Sequence, residues 1–234
     1  MKNYDGITGE AFWLLGQNKF NNSKEFYEAN KDQIVRLAIK PMRQIAEIIA
    51  ADMEKIDDRM NLVPTKMVSR IRRDTRFSKD KRLYRENVWI MFMRPKAEWP
   101  TYPCFWFEIQ PSGYSYGVSC FETTPAFMQI YRQLLLERPD EFLQAVKKAE
   151  KAGAGFYADS YKKEKKPDVP ENIKMYYNVK SMYFMVKSSD LSVLESDAVI
   201  AELKAAYKNF TPMYLFLKRA ADRYIALGQV DNDA

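Results

Sequence analysis

The strongest constraint on the fold is a pair of apolar runs that flank the turn sequence Pro111-Ser112-Gly113. This tripeptide suits a three-residue loop in which Gly113 adopts the left-handed backbone conformation that a type I turn followed by a bulge requires. The sequence therefore predicts a β-hairpin whose strands comprise residues 104–110 and 114–120. An antiparallel sheet is then the framework around which the rest of the chain is placed.

The register of this hairpin decides where the two cysteines of the chain lie. If Gln110 faces Tyr114, large residues of the first strand lie opposite small residues of the second. Cys104 then lies opposite Cys120, and the register places two thiols within a few ångströms of each other. In a reducing compartment two such cysteines are expected to be free thiols rather than a disulfide.

Hydrophobic periodicity along the rest of the chain predicts an α+β fold. We expect a small, largely antiparallel sheet of about four strands covered by six or seven helices. Besides the hairpin, strands are predicted at residues 68–73, 87–94 and 183–187. Helices are predicted at residues 8–16, from a capping box at Asn22 to a break near Ile39, and at residues 41–56, 125–138, 139–151, 196–208 and 212–227. Residues 161–170 are polar and rich in proline, which is typical of an exposed loop.

Composition narrows the chemistry that is open to this protein. The 234 residues include no histidine, which removes the commonest general base and the commonest transition-metal ligand. Catalysis by a serine–histidine or cysteine–histidine pair is therefore excluded. Cysteines and carboxylates do not cluster as zinc ligands would, so we predict no metal and no cofactor. Any catalysis would have to use Asp, Glu, Lys, Tyr or Arg side chains.

Hydropathy gives no indication of a membrane protein. No run approaches the roughly 20 apolar residues that a membrane-spanning helix needs. The first residues, Met1-Lys2-Asn3-Tyr4-Asp5, are not followed by the apolar stretch of a signal peptide. We therefore expect a cytoplasmic protein with no membrane partner.

The positive charge of the chain is concentrated in one segment, which we call the basic stretch (residues 70–85, R-I-R-R-D-T-R-F-S-K-D-K-R-L-Y-R). Eight basic side chains stand there against only Asp74 and Asp80, which gives a local net charge of +6. The whole chain also has a formal net charge of +6, so the remainder is electrically balanced. This segment is where a functional site is expected.

Arginine side chains present rigid forks of N–H donors that fit carboxylate or phosphate oxygens. An aspartate among them can hold the forks in place, so that the spare donors face a ligand. The candidate ligand-binding residues are Arg70, Arg73, Asp74, Arg76, Lys79, Asp80, Lys81 and Tyr84 of the basic stretch, with Asn21 and Asn22 upstream. The alternative for the charged residues is a structural ion-pair network on a loop. For Asn21 and Asn22 the alternative is helix capping and turn geometry.

The basic stretch also carries a family resemblance. Its order and spacing resemble the segment R-x-x-R-D-x-R-F-S-K-D-K-x-P-Y-K of an uncharacterised family, domain of unknown function 2461. That family has an upstream N-N-x-x-x-W-F segment, which resembles N-N-S-K-E-F-Y from Asn21 onward. Leu83 stands where the family usually has proline, and Phe26 where it usually has tryptophan. The resemblance implies a single domain over residues 6–228, a short tail at 229–234 and a shared site, but no reaction.

Three functions are compatible with the basic stretch. The first is a pocket for a phosphorylated or carboxylated small molecule, gripped by Arg70, Arg73 and Arg76. The second is nucleic-acid binding, with Phe77 and Tyr84 available to stack on bases. The third is a module that docks an acidic protein partner. We rank the small-anion pocket first, and the sequence does not say whether the protein is an enzyme.

Overall fold

Five strands form one antiparallel sheet in the computed structural model, which describes residues 3–95, 97–98, 102–120, 123–163 and 168–230. The strands are β1 (Val88–Phe92), β2 (Cys104–Gln110), β3 (Gly113–Cys120), β4 (Gly155–Ser160) and β5 (Val179–Ser188). Their order across the sheet is β1-β2-β3-β5-β4. In the pair formed by β4 and β5, the register aligns Gly155 with Met185 and Asp159 with Ser181.

Helices precede the sheet, connect its strands and follow it. They are α1 (Gly9–Asn21), α2 (Lys24–Ile34), α3 (Lys40–Glu54), α4 (Pro64–Met67), α5 (Pro125–Glu137), α6 (Pro139–Lys151), α7 (Glu171–Tyr177) and α8 (Ala198–Val230). A π-helical segment, Val35–Ile39, joins α2 to α3, and a short 3₁₀ helix, Leu191–Glu195, precedes α8. The predicted α+β class is confirmed, with five strands where about four were expected.

The predicted hairpin is confirmed as β2 and β3. Gly113 has a positive φ of 147°, so the turn does need a glycine, although this angle lies beyond the left-handed helical region. A Cβ atom at Gly113 would lie 2.2 Å from the carbonyl oxygen of Ser188. Cys104 and Cys120 are both buried and free, as predicted. Burial raises the pKa of the Cys104 thiol to about 12, so it is protonated at neutral pH.

Two predictions about the N-terminal helices were wrong in detail. The first helix does not end near Gly16 but continues to Asn21, and Asn18 in this additional turn is buried. The residue that caps α2 is Ser23 rather than Asn22: its hydroxyl accepts a hydrogen bond of 3.0 Å from the Phe26 amide. The predicted break near Ile39 exists as the π-helical segment, after which Pro41 occupies the first turn of α3.

The predicted strand at residues 68–73 was also wrong. Only two isolated bridges form there, Val68 with Ile90 and Arg72 with Tyr84. Val68 and Ile71 are buried, but Arg70 and Arg72 between and beside them are exposed. The segment therefore leaves the sheet after one bridge and becomes one arm of the loop described below.

The two helices predicted at residues 196–208 and 212–227 are one continuous helix, α8, with Pro212 in its interior. A proline there removes one backbone hydrogen bond and usually kinks or ends a helix. The neighbouring side chains Phe210, Met213 and Tyr214 are completely buried, so packing keeps the helix continuous past the proline. The Thr211 hydroxyl donates a hydrogen bond of 2.8 Å to the Tyr207 carbonyl one turn earlier. Strand β4 and helix α7 had no counterpart in the sequence predictions.

The chain divides into two compact units, and the first comprises Met1–Phe92, Trp106–Tyr116 and Lys187–Lys204. Helices α1, α2 and α3 pack together in this unit, and α3 packs against β1. The fully buried side chains include Leu15, Ile45, Ile49 and Ile90. The basic stretch and every residue of the site described below belong to this unit.

The second compact unit comprises Met93–Phe105, Gly117–Val186 and Ala205–Ala234. Its core contains the rings of Tyr131, Phe142 and Phe216, which meet edge to face with centroids 5.1–6.5 Å apart. The buried guanidinium of Arg132 donates hydrogen bonds to the carbonyls of Met128, Tyr177 and Val179. No helix in the described part of the chain is long and apolar enough to cross a membrane.

Substitution of Gly113 by alanine is expected to lower the free energy of unfolding by about 2 kcal/mol or more, because the new Cβ meets the Ser188 carbonyl and the positive φ is unfavourable. Gly16→Ala is the control, because a Cβ atom at this position of α1 meets no atom within 4 Å. That substitution should raise stability by about 0.5–1 kcal/mol. Urea denaturation of both variants measures the two changes. Equal stability of wild type and Gly113→Ala would contradict the described turn.

Candidate functional site

The basic stretch forms a loop whose two arms pair with each other. The Arg73 amide donates to the Leu83 carbonyl at 2.8 Å, and the Arg85 amide donates to the Ile71 carbonyl at 3.2 Å. The bridge between Arg72 and Tyr84 lies between these two bonds. These contacts close the loop at its base and leave residues 74–82 to project from the paired arms.

Asp80 holds the interior of this loop together. Its carboxylate accepts a hydrogen bond of 2.5 Å from Nη1 of Arg73. It also accepts bonds from Nε and Nη2 of Arg82, at 3.0 and 2.7 Å, and from the Arg82 amide at 3.0 Å. Hydrogen bonds from Arg82 first and Arg73 second hold the pKa of Asp80 well below its usual range. Asp80 is therefore ionised and fixes two guanidinium groups on the same side of the loop.

A second ion pair, between Asp74 and Arg76, lies on the outer surface of the loop. Nε and Nη2 of Arg76 donate to the Asp74 carboxylate at 3.0 and 2.6 Å. These hydrogen bonds, with one from the Arg76 amide, lower the pKa of Asp74 to about 2. Both side chains are exposed, so the pair adds little to stability. The adjacent ring of Phe77 is 95% exposed.

The loop borders a cleft of about 450 Å³ in the first compact unit. Loop residues form one wall, helix α1 contributes a lysine, and the two residues before β1, β1 itself and the end of β2 supply the remainder. The lining residues are Lys19, Arg73, Asp80, Arg82, Tyr84, Arg85, Glu86, Asn87, Trp89 and Gln110. Four of these side chains are cationic and two are carboxylates, which gives the lining a net charge of +2.

Most charges of the cleft already have partners within it. Lys19 forms an ion pair with Glu86, and Asp80 is shared between Arg73 and Arg82. Asn87 donates a hydrogen bond to the carboxylate of Glu108, a half-buried residue of β2. The carboxylates of the cleft are thus used by Lys19, Arg73 and Arg82.

Arg85 is the exception. Its guanidinium lies over the ring of Trp89, with Cζ 4.4 Å from the ring centroid. Its Nε atom is buried and has no hydrogen-bond acceptor among the described residues. Burial and, second, the nearby charge of Arg73 lower the pKa of Arg85, and the negative charge of Glu108 opposes this shift in part. A partly buried cation with an unused donor is costly, because desolvation is not repaid by a hydrogen bond.

Asn22 attaches the loop to the N-terminal helices. It ends α1 in the left-handed conformation, with φ 47° and ψ 34°. Its side-chain oxygen accepts hydrogen bonds from the amides of Leu83, at 2.7 Å, and Tyr84, at 3.4 Å. The Tyr84 ring is 2% exposed and stacks on Tyr27 of α2 with a centroid separation of 4.8 Å. The inner arm of the loop is therefore fixed to both helices.

The structure separates the residues predicted for the site into three groups. Arg73, Asp80 and Tyr84 line the cleft. Arg70, Asp74, Arg76, Lys79 and Lys81 are exposed and are not among the lining residues, and Lys81 donates to the Thr75 carbonyl at 2.9 Å. The side chain of Asn22 accepts a hydrogen bond from the backbone of the loop. The side-chain amide of Asn21 donates to the Gln17 carbonyl at 2.8 Å within α1.

Several cleft residues were missing from the sequence-based set. Arg82 and Arg85 belong to the basic stretch, and their positive charge was the only sequence signal that marked them. Lys19 and Gln110 lie far from the stretch in sequence and carry no motif, so only the fold brings them to the cleft. Within the described residues, no group of three or more Cys, Asp or Glu side chains is placed to hold a metal ion.

The role of Asn22 can be tested by two substitutions. Asn22→Gly keeps the left-handed conformation but loses the acceptor, and should lower the free energy of unfolding by about 1 kcal/mol. Asn22→Ala also places a residue that tolerates the left-handed conformation less well than asparagine there, so the loss should reach about 2 kcal/mol. The control Asn21→Ala should change stability by less than about 0.5 kcal/mol. Thermal and urea denaturation compare the three variants, and equal effects of Asn21→Ala and Asn22→Ala would contradict the anchoring role.

The two carboxylates of the loop should titrate far below ordinary aspartates. Arg76→Gln should raise the pKa of Asp74 from about 2 toward its ordinary value of 3.8, and Arg82→Gln should raise the pKa of Asp80. Because each pKa is lower in the folded protein than in the unfolded chain, the stabilisation is complete above about pH 4 and is lost as the pH falls. Carbon-13 NMR of the aspartate carboxyl groups measures both values, with Arg70→Gln as the control. Ordinary pKa values in the wild type would rule out the described ion pairs.

Comparison with known proteins gives a family but no function. A family model described as "Conserved hypothetical protein (DUF2461)" matches residues 10–216. No curated protein matches the chain. The matched region includes α1 from its second residue onward, the whole basic stretch and every residue that lines the cleft. Since the match covers most of the sequence, the chain belongs to the DUF2461 family.

Proposed function

We propose that this protein binds a phosphorylated or carboxylated small molecule in the cleft beside the basic stretch. The observation that carries the proposal is Arg85, whose side chain lines the cleft and, unlike that of Arg73, donates no hydrogen bond to a carboxylate among the described residues. An anionic oxygen in the cleft would accept hydrogen bonds from the Nη groups of Arg85 and offset its charge. Charge-assisted hydrogen bonds of this type are among the strongest in proteins.

The surrounding groups support an anion at the same place. The lining of the cleft keeps a net charge of +2 after its internal ion pairs are counted. Asp80 holds the guanidinium of Arg73 in a fixed position, so the remaining donors of Arg73 do not have to be ordered by the ligand. A cleft of about 450 Å³ is within the usual size range of small-molecule sites.

The proposed anion site lies at the inner arginines of the basic stretch and not, as the sequence predicted, at the outer ones. Sequence reasoning placed the grip on Arg70, Arg73 and Arg76. Arg76 is engaged with Asp74 on the outer surface, and Arg70 is exposed away from the lining residues. Arg73, Arg82 and Arg85 take the corresponding roles in the cleft. The proposal covers binding alone and assigns no reaction.

A second candidate function, binding of single-stranded nucleic acid by the loop tip, is favoured by one observation. Phe77 is 95% exposed and lies among exposed basic side chains, with Arg76 Cζ 5.7 Å from its ring centroid. Exposed aromatic rings beside cations are typical of surfaces on which bases stack. Tyr84, the other ring considered for stacking, is buried against Tyr27. One available ring makes this candidate weaker than the cleft.

Calorimetric titration of inorganic phosphate and of citrate into wild type, Arg85→Gln and Arg70→Gln distinguishes the candidates. Each substitution removes one positive charge from the same stretch, but only Arg85 lines the cleft. Arg85→Gln should weaken binding by about 10-fold or more, as expected for a charged hydrogen bond. Arg70→Gln should change binding by less than about twofold, because exposed charges are screened by salt.

Equal weakening by both substitutions would show a diffuse electrostatic effect and would contradict an anion site in the cleft. The nucleic-acid candidate makes a different prediction for a short single-stranded oligonucleotide. Its affinity should fall steeply with added salt, since each phosphate contact releases counterions, and should fall further in Phe77→Ala. An affinity for the oligonucleotide that does not change with added salt would contradict the nucleic-acid candidate.

A further inference from the structure

The part of the cleft beyond the arginines is lined by polar groups. Lys19 and Glu86 form one side of it, and Asn87 and Gln110 form another. Gln110 is exposed at the end of β2, and its side-chain amide makes no hydrogen bond with the described residues. The described hydrogen bonds use one carboxylate oxygen of Glu86 and the amide nitrogen of Asn87. The second Glu86 oxygen, the Asn87 carbonyl and the whole Gln110 amide remain for a ligand.

The aromatic rings of the cleft do not offer a platform for a nucleobase. Two rings line it, those of Tyr84 and Trp89. Tyr84 is almost completely buried by its stack on Tyr27. Trp89 is half-buried, and the face that is turned to the basic residues is covered by the Arg85 guanidinium at 4.4 Å. A nucleobase in the cleft would therefore contact charged and amide groups rather than an aromatic surface.

We propose that the ligand of this cleft is an anionic polyol, with its phosphate or carboxylate group on Arg85 and its hydroxyl groups on Glu86, Asn87 and Gln110. This inference rests on the proposed anion site and adds the chemical class of the rest of the ligand. A hydroxyl group both donates and accepts hydrogen bonds. It therefore suits a wall where carboxylate and amide oxygens accept while the Gln110 amide and Lys19 ammonium donate.

The size of the cleft agrees with a ligand that extends beyond its anionic group. A volume of about 450 Å³ exceeds what a single phosphate or carboxylate fills, so a body of several further atoms has room beside it. Eight of the ten lining residues are polar or charged. An apolar body would leave these groups desolvated without hydrogen bonds, which is unfavourable.

Isothermal titration calorimetry with five probes tests the inference: inorganic phosphate, ribose 5-phosphate, glucose 6-phosphate, gluconate and AMP. In the wild type, at least one of the two sugar phosphates or gluconate should bind about 10-fold more tightly than inorganic phosphate and than AMP. Two added neutral hydrogen bonds account for a gain of this size. Comparison of gluconate with the sugar phosphates then identifies whether the preferred anion is a carboxylate or a phosphate.

Gln110→Ala should weaken binding of the preferred polyol about three- to tenfold, the effect of one hydrogen bond, and leave inorganic phosphate unchanged. Gln33→Ala is the matched control, since Gln33 is an exposed glutamine on α2 outside the cleft, and it should change neither affinity. Both residues are exposed, so neither substitution is expected to unfold the protein.

The inference and the proposed function fail in different ways. Phosphate binding that depends on Arg85, combined with AMP that binds as tightly as every polyol or with no effect of Gln110→Ala, would overturn the polyol inference alone. Absence of measurable binding of all five probes to the wild type, or binding that Arg85→Gln does not weaken, would overturn the anion site itself and the inference with it.

Discussion

The carboxylate of Asp80 determines how the positive charge of the basic stretch is distributed. It accepts hydrogen bonds from Arg73 and Arg82 together, and so holds two groups that would otherwise repel each other on one side of a loop. Because Asp80 is fully used by these two, no carboxylate of the loop is left for Arg85. This leaves a half-buried cation at the inner end of the stretch, where the Arg85 guanidinium lies against Trp89 and the charge of Glu108 is nearby.

The position of this charge depends in turn on how the loop is attached. The inner arm, which carries Tyr84 and Arg85, is held by the Asn22 side chain and by the stack of Tyr84 on Tyr27. The outer part of the loop is held by its own ion pairs and by the bond from Lys81 to Thr75. In the proposed site, the inner arm that carries Arg85 is thus supported by two helices, which is the arrangement that preorganised sites require.

The sequence predicted the hairpin and the helices that begin at Pro125 and Pro139, because the hydrophobic pattern and the turn residues agreed locally. It predicted the wrong state where distant packing decided the outcome. Pro212 is a helix breaker by itself, yet the buried Phe210, Met213 and Tyr214 keep α8 continuous. In the same way, charge identified the basic stretch, but only the tertiary fold separates Arg85 from the exposed Arg70. Lys19 and Gln110 reach the cleft from elements that carry no local signal of a site.

One stretch of charge can therefore act in two physically different ways. The exposed cations, such as Arg70 and Lys79, interact with a ligand through solvent, and beyond about 8 Å physiological salt largely screens that interaction. Their effect falls mainly on the rate at which an anion approaches. The half-buried Arg85 is screened much less, and in the proposed site it contacts an anion that has entered the cleft. The affinity for an anion should then depend on Arg85, whereas the salt dependence of association should depend on the outer cations.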